Sequence, residues 1–230
     1  MQKVSIVIPV YNEEETLEEL LTAVEKADFA GLQKEIILID DGSTDSSAGI
    51  LKKYAEKHVV VFCEKNQGKG AAVRTGIARA TGDFIVIQDA DLEYDPADYA
   101  DLMRVLIDGK ADVVYGTRFS SKNPTKNFMI HHYWGNKLIT WAADVIYLTN
   151  LTDIETCYKA FKRECMSDIV LRENSFAFDP ELTAKFLKRH FRFAEVPVSY
   201  NGRGFDEGKK ISWKDGFKAL KALVKYKFTE

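Results

Sequence analysis

The sequence has few of the features that are typical of secreted or membrane-spanning proteins. It has three cysteines in 230 residues, which cannot all pair and which lack metal-ligand spacing, so a reducing compartment is expected. The first residues lack the apolar segment of a signal peptide. The run that comes nearest to a membrane span, at 139–148, is interrupted by Asp144. We expect a cytoplasmic protein that is soluble or bound only to a membrane surface.

Excess charge and phosphate-loop motifs are also missing. The net charge of -3 provides no general attraction to nucleic acid. The first predicted strand is not followed by Gly-x-Gly-x-x-Gly, and Gly68-Lys69-Gly70 lacks both the spacing and the Ser or Thr of a Walker loop. These absences argue against a dehydrogenase and against a P-loop enzyme.

What the chain does contain is an alternation of strands and helices. Short apolar segments predict strands at 4–8, 35–39, 59–63, 84–88 and 112–115. Helical patterns lie between these strands. The first is at 13–27, the second runs from Ser43 or Thr44 to 54, the third follows the segment 64–70 and ends at 80, and the fourth begins at Pro96. This order implies right-handed crossovers and a mostly parallel sheet with helices on both faces. The predicted fold class is α/β.

The second half of the chain is less regular. Helices are predicted at 130–148 and 180–190, and strands at 157–161 and 193–196. With 46% hydrophobic residues, the chain can bury a complete core. We therefore predict a single domain over 1–230.

Four polar motifs follow four of the predicted strands. They are Pro-Val-Tyr-Asn-Glu at 9–13, Asp-Asp-Gly-Ser-Thr-Asp at 40–45, Glu-Lys-Asn-Gln-Gly-Lys-Gly at 64–70 and Gln-Asp-Ala-Asp-Leu-Glu at 88–93. Ligands of open α/β sheets bind beyond the carboxyl ends of the strands. One polar strand end would be an ordinary loop, but four together predict one extended site.

The fourth motif predicts a metal site. In an extended chain alternate side chains share a face, so Asp89, Asp91 and Glu93 are expected to converge. Carboxylates with no His or Cys beside them suit a hard cation such as Mg2+ or Mn2+, which would in turn suit a diphosphate. The alternative is that these acids only form a solvated turn after a core strand.

A nucleotide is the ligand that these motifs favour. Tyr11 could pack on a base or ribose, and Asp40 or Asp41 could accept hydrogen bonds from base N–H or ribose hydroxyl groups. The alternatives are wall packing for Tyr11, and turn or helix-cap roles for Asp41 and Asp45.

Together the four motifs resemble those of the family 2 glycosyltransferases, which have a GT-A fold. The likeness in order and spacing covers residues 3–118. Looser motifs are similar to the dolichyl- or polyprenyl-phosphate mannose or glucose synthase branch: Gly-Thr-Arg at 116–118, Thr-Asp-Ile-Glu-Thr-Cys-Tyr-Lys at 152–159 and Glu-Val-Pro-Val at 195–198. The resemblance implies inverting transfer of a hexose from a nucleotide sugar to a lipid phosphate.

The resemblance also divides the chain into a nucleotide-sugar and metal half at 1–118 and an acceptor half at 119–230. Contacts to the nucleotide sugar or its metal are implied for members of the four motifs, namely Pro9, Tyr11, Glu13, Asp40, Asp41, Lys69, Asp89, Ala90 and Asp91. Asp89 and Asp91 would hold the diphosphate metal. Glu93 stands where mannosyl-transferring relatives often have a Gln ligand.

Basic residues are implied on the acceptor side. Arg118 and Arg203 match positions that bind phosphate, and Lys137 lies near a position that is usually Arg, whose bidentate geometry it lacks. A lipid phosphate, with a second pKa of about 6, is already an anion near pH 7 and needs cationic groups more than a base. Asp153 matches a family acid, for which we expect an orienting or electrostatic role. Asp91, Asp153 and Arg118 form the predicted catalytic set.

A lipid acceptor requires contact with a bilayer surface. An amphipathic C-terminal helix is predicted from the spacing of Trp213, Phe217, Leu220, Leu223, Val224 and Phe228, with lysines on its other face. A second apolar contact is predicted from Phe128, Met129, Ile130, Trp134 and Trp141. Packing of both helices on the domain is the alternative. Relatives often carry C-terminal membrane spans; here we expect peripheral docking at the cytoplasmic membrane face or a separate membrane subunit.

Two other functions remain open. The same donor half could serve a saccharide or other hydroxyl acceptor, although the Gln-x-x-Arg-Trp signature of processive synthases is absent. A non-catalytic nucleotide- or lipid-binding module would keep the fold, but the intact pair of Asp89 and Asp91 argues against it. GDP-mannose and UDP-glucose are equally reasonable donors.

Overall fold

The computed structural model describes residues 2–119, 130–202 and 213–229. In these ranges the strands are β1 (Lys3–Val10), β2 (Gln33–Asp40), β3 (Val59–Phe62), β4 (Phe84–Ile87), β5 (Val113–Thr117), β6 (Lys159–Lys162) and β7 (Phe193–Pro197). The helices are α1 (Leu17–Lys26), α2 (Ser47–Lys52), α3 (Lys69–Arg79), α4 (Tyr99–Ile107), α5 (Ile130–Tyr147), α6 (Phe178–Lys188) and α7 (Trp213–Phe228).

The described strands form one sheet in the order β3-β2-β1-β4-β6-β5-β7. Neighbouring strands are parallel except around β6, which runs antiparallel to both β4 and β5. The mostly parallel α/β sheet is therefore confirmed. Since β6 is reversed, it begins at the edge where β4 and β5 end, which brings the start of β6 to the polar edge of the sheet.

Most predicted boundaries shift by a few residues, and two of the differences concern the site. The first helix begins at Leu17 rather than at residue 13, and the Glu13 and Glu14 N–H groups donate to the side chains of Ser47 and Asp45 at the start of α2 and just before it. The strand predicted from residue 157 begins at Lys159, because the Cys157 N–H donates to the Tyr94 hydroxyl, 3.0 Å away, instead of to a neighbouring strand.

A large apolar core covers the sheet. The central strands are buried almost completely, as their unbroken Val and Ile content predicts for a sheet covered on two faces. Helix α1 contributes its leucine stripe, in which Leu17, Leu20 and Leu21 are fully buried. This packing holds the carboxyl ends of the strands in fixed positions.

A second, smaller core lies between α5, α6 and α7. It includes Ile139 and Ala143 from α5 and Leu223 and Tyr226 from α7. The Tyr147 hydroxyl donates to the Leu223 carbonyl at 2.7 Å, which ties the two helices together.

The sequence predicts that the apolar residues of α7 share one face, but in the structure they do not. Leu223 is buried in the small core and Leu220 is half-buried, while Phe217, Val224 and Phe228 are exposed. The pattern arises because α7 presents one apolar surface to the protein and a separate stripe to solvent. The side chain of Trp213 lies outside the described part of the chain, as do Phe128, Met129 and the side chain of Ile130.

Helix α5 carries a longer exposed apolar stripe. Its members repeat at intervals of four and three residues and are Trp134, Leu138, Trp141, Val145 and Leu148, the last just beyond the helix end. Trp134 and Trp141 are 66% and 62% exposed. None of the helices in the described ranges combines the length and apolar character that crossing a bilayer requires.

Candidate active site

The first two motifs interlock at the carboxyl ends of β1 and β2. The Asn12 N–H donates to the Ser43 hydroxyl at 3.1 Å, and the Asn12 side-chain oxygen accepts from the Thr44 N–H at 2.8 Å. The Glu13 N–H donates to the Ser47 hydroxyl at 2.9 Å. Asn12 has a φ of 52°, a left-handed conformation that Asn tolerates better than most residues. These reciprocal bonds make one rigid wall from two loops.

Asp41 fastens the third motif to this wall. Its carboxylate accepts from the Gln67 N–H at 3.0 Å and the Gly68 N–H at 2.8 Å. Burial raises the pKa of Asp41 above its ordinary value, while these two hydrogen bonds oppose the rise. Asp41 therefore has a structural role in addition to the nucleoside contact that the resemblance implies, and that contact stays a prediction.

Helix α3 does not offer its N-terminus to a phosphate. The Gly70 N–H donates to the Asn174 carbonyl at 2.8 Å. A Cβ on Gly68 would lie 2.4 Å from that same carbonyl oxygen, so the loop at Asn174 packs directly on the glycines. The Gly-Lys-Gly sequence serves close packing, which agrees with the absence of a Walker loop.

Lys69 projects from α3 into a mostly buried charge cluster. Its Nζ lies 2.8 Å from the Asp89 carboxylate and 3.7 Å from that of Asp179. The fully buried Lys159 contacts the other oxygen of Asp179 at 2.7 Å. Burial is the largest effect on the pKa of Asp89 and raises it, but the positive charge of Lys69 and the hydrogen bonds from Cys157 and Lys69 together outweigh burial, so the net shift is downward.

The acidic turn after β4 departs from the extended geometry expected of it. The strand ends at Ile87, and Leu92 has a φ of 56°, so the side chains of Asp89, Asp91 and Glu93 do not alternate along a strand. The Glu93 carboxylate accepts from the Tyr200 hydroxyl at 2.8 Å. Within the described ranges, no three or more His, Cys, Asp or Glu side chains are grouped to hold a metal. The expected convergence does not occur, and the ligand roles stay a prediction.

Gln88 holds the beginning of this turn, a role that the sequence did not reveal. It is fully buried, its side-chain oxygen accepts from the hydroxyls of Tyr99 and Tyr158, and its amide donates to the Asp89 carbonyl at 2.8 Å. A polar residue at the end of an apolar strand was the available signal. The Thr16 hydroxyl adds a bond to the Ala90 carbonyl at 2.8 Å.

On the other side of β6, Arg118 and Asp153 form a buried bidentate pair. The Arg118 Nε and Nη2 atoms lie 2.7 Å from the two Asp153 oxygens, and the Arg118 N–H donates to the same carboxylate at 3.1 Å. Both side chains are buried. The pair is therefore not a surface salt bridge, and Asp153 does more than cap a loop.

Glu195 supports this pair from β7. Its carboxylate accepts from the Thr152 N–H at 2.9 Å and the Asp153 N–H at 3.1 Å. Burial raises the pKa of Glu195, and these bonds oppose the rise. The Lys137 Nζ donates to the Thr152 carbonyl at 3.2 Å and lies 4.1 Å from the centre of the Phe119 ring.

The remaining predicted residues are distributed as follows. Pro9, Tyr11 and Glu13 are half-buried at the carboxyl end of β1, and Asp40 is buried and accepts from the Ser43 N–H at 3.1 Å. Arg203 lies outside the described residues.

The segment between Asp153 and β6 contains two further titratable groups, a thiol and a carboxyl group. Cys157 is buried beside Asp89, and burial raises the pKa of its thiol far above the ordinary value, which excludes a thiolate nucleophile at neutral pH. Glu155 Oε1 is buried with no hydrogen-bond partner. Burial, and then the negative charge of Asp179, raise the pKa of Glu155 to about 7.

Comparison with known proteins identifies the family. The sequence model described as Glycosyl transferase family 2 matches residues 5–170, which is more than half of the chain. The chain is a family 2 glycosyltransferase. Its GT-A-like sheet and its four strand-end motifs agree with that assignment.

Two relatives of this glycosyltransferase are undecaprenyl-phosphate 4-deoxy-4-formamido-L-arabinose transferases from Klebsiella pneumoniae subsp. pneumoniae and Klebsiella pneumoniae strain 342. Each is 33% identical over 214 residues, which cover 91% of this chain. The chain spans 63% of the length of these relatives.

Solved structures with the same fold include glucosyl-3-phosphoglycerate synthase from Mycobacterium tuberculosis. Its complex with Mn2+, UDP and phosphoglyceric acid has a TM-score of 0.76 at 20% identity, over 100% of this chain and 80% of that one. Its complex with Mg2+ and UDP has a TM-score of 0.74 at 20% identity, over 98% and 79% of the two chains. At this identity the likeness establishes the fold.

Proposed function

We propose that this glycosyltransferase transfers a hexose, with inversion, from a nucleotide sugar to a polyprenyl phosphate, and that a divalent cation is required. The observation that carries the proposal is the arrangement along one sheet edge. The acidic turn after β4 and the Arg118–Asp153 pair after β5 flank the start of the reversed strand β6. A donor diphosphate and an acceptor phosphate would then lie on opposite sides of the transferred sugar.

The donor half would bind the nucleotide sugar. Tyr11 and the carboxylates of Asp40 and Asp41 line the interlocked wall after β1 and β2, where a nucleoside would meet an aromatic face and hydrogen-bond acceptors. The carboxylates of Asp89 and Asp91 supply only oxygen donors, which fits Mg2+ or Mn2+ when substrate phosphates complete the coordination. Such a cation neutralises charge on the leaving diphosphate.

The acceptor half would supply positive charge without a base. An oxygen of the acceptor phosphate would attack the anomeric carbon from the face opposite the diphosphate, and the bond between that carbon and the diphosphate oxygen would break. No proton has to be removed from a phosphate that is already ionised near pH 7. Both Asp153 oxygens are engaged by Arg118, which supports an orienting role for Asp153 and leaves Arg118 and Arg203 to attract the phosphate.

A transfer assay tests this proposal. Short-chain polyprenyl phosphate is incubated with labelled GDP-mannose or UDP-glucose, with and without Mg2+ or Mn2+. We expect a metal-dependent glycolipid from one donor, reduced at least about a hundredfold in Asp91→Ala. Asp168→Ala, which removes an exposed carboxylate far from these motifs in sequence, is the control and should retain full activity.

The other outcomes of the assay distinguish the alternatives. Donor hydrolysis without a glycolipid would contradict the lipid phosphate and favour a hydroxyl acceptor. Binding of nucleotide sugar without hydrolysis or transfer to any acceptor would indicate a binding module.

A lipid acceptor also implies that the protein meets a bilayer, and we propose the exposed stripes of α5 and α7 as the contact. Trp134 and Trp141 on α5 have the amphipathic rings that favour a lipid headgroup region. The exposed stripe of α7 is accompanied by exposed lysines at 218, 221, 225 and 227, which would attract anionic lipid. The expected location is peripheral, at the cytoplasmic face, with or without a separate membrane subunit.

Co-sedimentation with vesicles tests the contact. We expect binding to vesicles that contain anionic phospholipid and about tenfold weaker binding after Trp134→Ser with Trp141→Ser, since each change removes a large interfacial apolar surface. Absence of wild-type binding to anionic vesicles would refute peripheral docking while leaving the transfer assay intact.

A further inference from the structure

The segment between Asp153 and Lys159 lies among paired charges. Three buried or mostly buried ion pairs surround it, formed by Arg118 with Asp153, Lys159 with Asp179 and Lys69 with Asp89. Every one of these carboxylates has a cation within 2.8 Å. Glu155 is a fourth carboxylate in the same region and forms no such pair in the described part of the chain.

Glu155 is also unsatisfied as a hydrogen-bonding group. Its Oε1 is buried and has no partner, although the residue as a whole keeps partial exposure. Buried polar atoms in native proteins nearly always have a partner, and each exception calls for an explanation, of which a role in binding or catalysis is one. A carboxylate with a solely structural role here would be expected to bond to a neighbouring backbone N–H, as Glu195 and Glu181 do.

The position of Glu155 along the segment is informative. Two residues before it, Asp153 contacts Arg118 on the acceptor side, and two residues after it, Cys157 lies beside Asp89 on the donor side. Along the chain, Glu155 therefore lies between the groups assigned to the two phosphates. The part of the substrate that must lie between these groups is the sugar, which is rich in hydroxyl groups.

The chemistry of Glu155 suits a sugar hydroxyl. With a pKa near 7, the group is a mixture of acid and carboxylate at neutral pH, so it can both donate and accept a hydrogen bond. A hydroxyl group likewise does both. Pairing the two would satisfy the orphaned oxygen without adding a charge to a region in which the other charges are already balanced.

We propose that Glu155 binds a hydroxyl group of the transferred sugar and is a determinant of sugar specificity in this enzyme. This inference rests on the proposed nucleotide-sugar donor and adds a residue that selects the sugar. It does not depend on the nature of the acceptor.

Equilibrium binding tests the inference with the full chain. Dissociation constants are measured by calorimetry for UDP, UDP-glucose, GDP and GDP-mannose with Mg2+ or Mn2+, on wild type, Glu155→Ala, Glu155→Gln and the Asp168→Ala control. For the base that binds more tightly, we divide the dissociation constant of the nucleoside diphosphate by that of the sugar nucleotide. This ratio isolates the contribution of the sugar to binding. We expect Glu155→Ala to lower this ratio about tenfold, Glu155→Gln to lower it less, and the diphosphate constant to stay unchanged.

A set of deoxy-sugar nucleotides locates the hydroxyl. In wild type, one deoxy analogue should bind about tenfold more weakly than the parent sugar nucleotide, and in Glu155→Ala that difference should disappear. An unchanged ratio in Glu155→Ala, equal weakening of diphosphate and sugar nucleotide, or a wild-type ratio near one would each overturn the inference. Failure of the lipid acceptor in the transfer assay would leave this ratio unaffected, so the two proposals fail separately.

Discussion

The two sides of the candidate site, which we propose bind the donor and the acceptor, are built in different ways. On the donor side, loops after β1, β2 and β3 hold one another through hydrogen bonds between side chains and backbone, as Asn12 does with Thr44 and Asp41 with Gly68. On the acceptor side, a buried ion pair between Arg118 and Asp153 joins the end of β5 to the approach to β6. The first kind of wall consists of many small contributions, and the second depends on one matched pair of charges.

This difference has an energetic consequence. A neutral hydrogen bond contributes about 1 kcal/mol net, so loss of one leaves the donor wall largely intact. Removal of one partner from a buried ion pair leaves an uncompensated charge and costs about 3–5 kcal/mol. Single substitutions should therefore have small, graded effects in the hydrogen-bonded loops of the donor side, where only the pair of Lys69 with Asp89 is of the ionic kind, and severe effects at the Arg118–Asp153 pair.

The largest expected effect is that of Asp153→Asn. Loss of the carboxylate leaves the buried Arg118 guanidinium without its counter-charge, so the free energy of unfolding should fall by about 3–5 kcal/mol in denaturant titrations. Glu18→Ala breaks the exposed pair with Lys53 and should change the unfolding midpoint little.

The double variant Arg118→Met with Asp153→Leu separates stability from function. It removes both charges and should recover most of the lost stability, because apolar residues of similar size often replace a buried pair without penalty. If Arg118 binds the acceptor phosphate, the double variant should have no transfer activity even though its stability is recovered. Equal instability of the single and double variants would show that the pair is not the source of the effect.

The same contrast explains what the sequence could predict. The donor motifs are contiguous and follow apolar strands directly, so residues such as Asp41 and Asp89 could be assigned to the sheet edge from local pattern alone. The ion pair of Arg118 and Asp153 joins residues 35 positions apart and depends on the reversed strand β6. Periodicity does not reveal strand direction, and the family resemblance supplied those two residues instead.

Other features could not be predicted, for physical reasons that differ. The strand ends at Ile87 and Leu92 adopts a left-handed conformation, which an apolar side chain rarely takes, so the local sequence does not predict the turn. The apolar residues of α7 satisfy a helical period but face two environments, and a period cannot tell a buried partner from solvent. Glu155 belongs to the motif at 152–159, but the sequence does not show that its Oε1 is buried without a hydrogen-bond partner among the described residues.

A second prediction concerns Glu155 and pH. Its pKa rises from 4.5 to about 7 on folding, so the folded state binds this proton more tightly than the unfolded state does. The resulting stability is complete below about pH 4.5 and is lost as the pH rises through 7. Glu155→Gln removes this loss, so the unfolding free energy of the variant relative to wild type should increase by about 3 kcal/mol between pH 4.5 and pH 8. If the difference in unfolding free energy between Glu155→Gln and wild type did not change with pH, this prediction would be contradicted.

A third prediction concerns the contact between the second and third motifs. Gly42 has a φ of 70°, and a Cβ there would lie 2.6 Å from the Lys65 carbonyl carbon, so Gly42→Ala combines backbone strain with a clash. We expect a loss of about 2–3 kcal/mol in unfolding free energy and a higher KM for the donor. Gly31→Ala is the matched control, because Gly31 has a φ of 80° with nothing near its Cβ position, and only the strain of about 1 kcal/mol should appear.

The smallest expected effect tests a single bond of the donor wall. Asn12→Gly keeps the left-handed backbone but removes the acceptor for the Thr44 N–H, whereas Asn12→Ala loses the acceptor and also strains the backbone. Relative to wild type, unfolding free energy should fall by about 1 kcal/mol in Asn12→Gly and about 2 kcal/mol in Asn12→Ala. Asn12→Asp retains the acceptor and should lie closest to wild type. If Asn12→Gly were as damaging as Asp153→Asn, the donor wall would depend on one contact after all, and the contrast between the two sides would not hold.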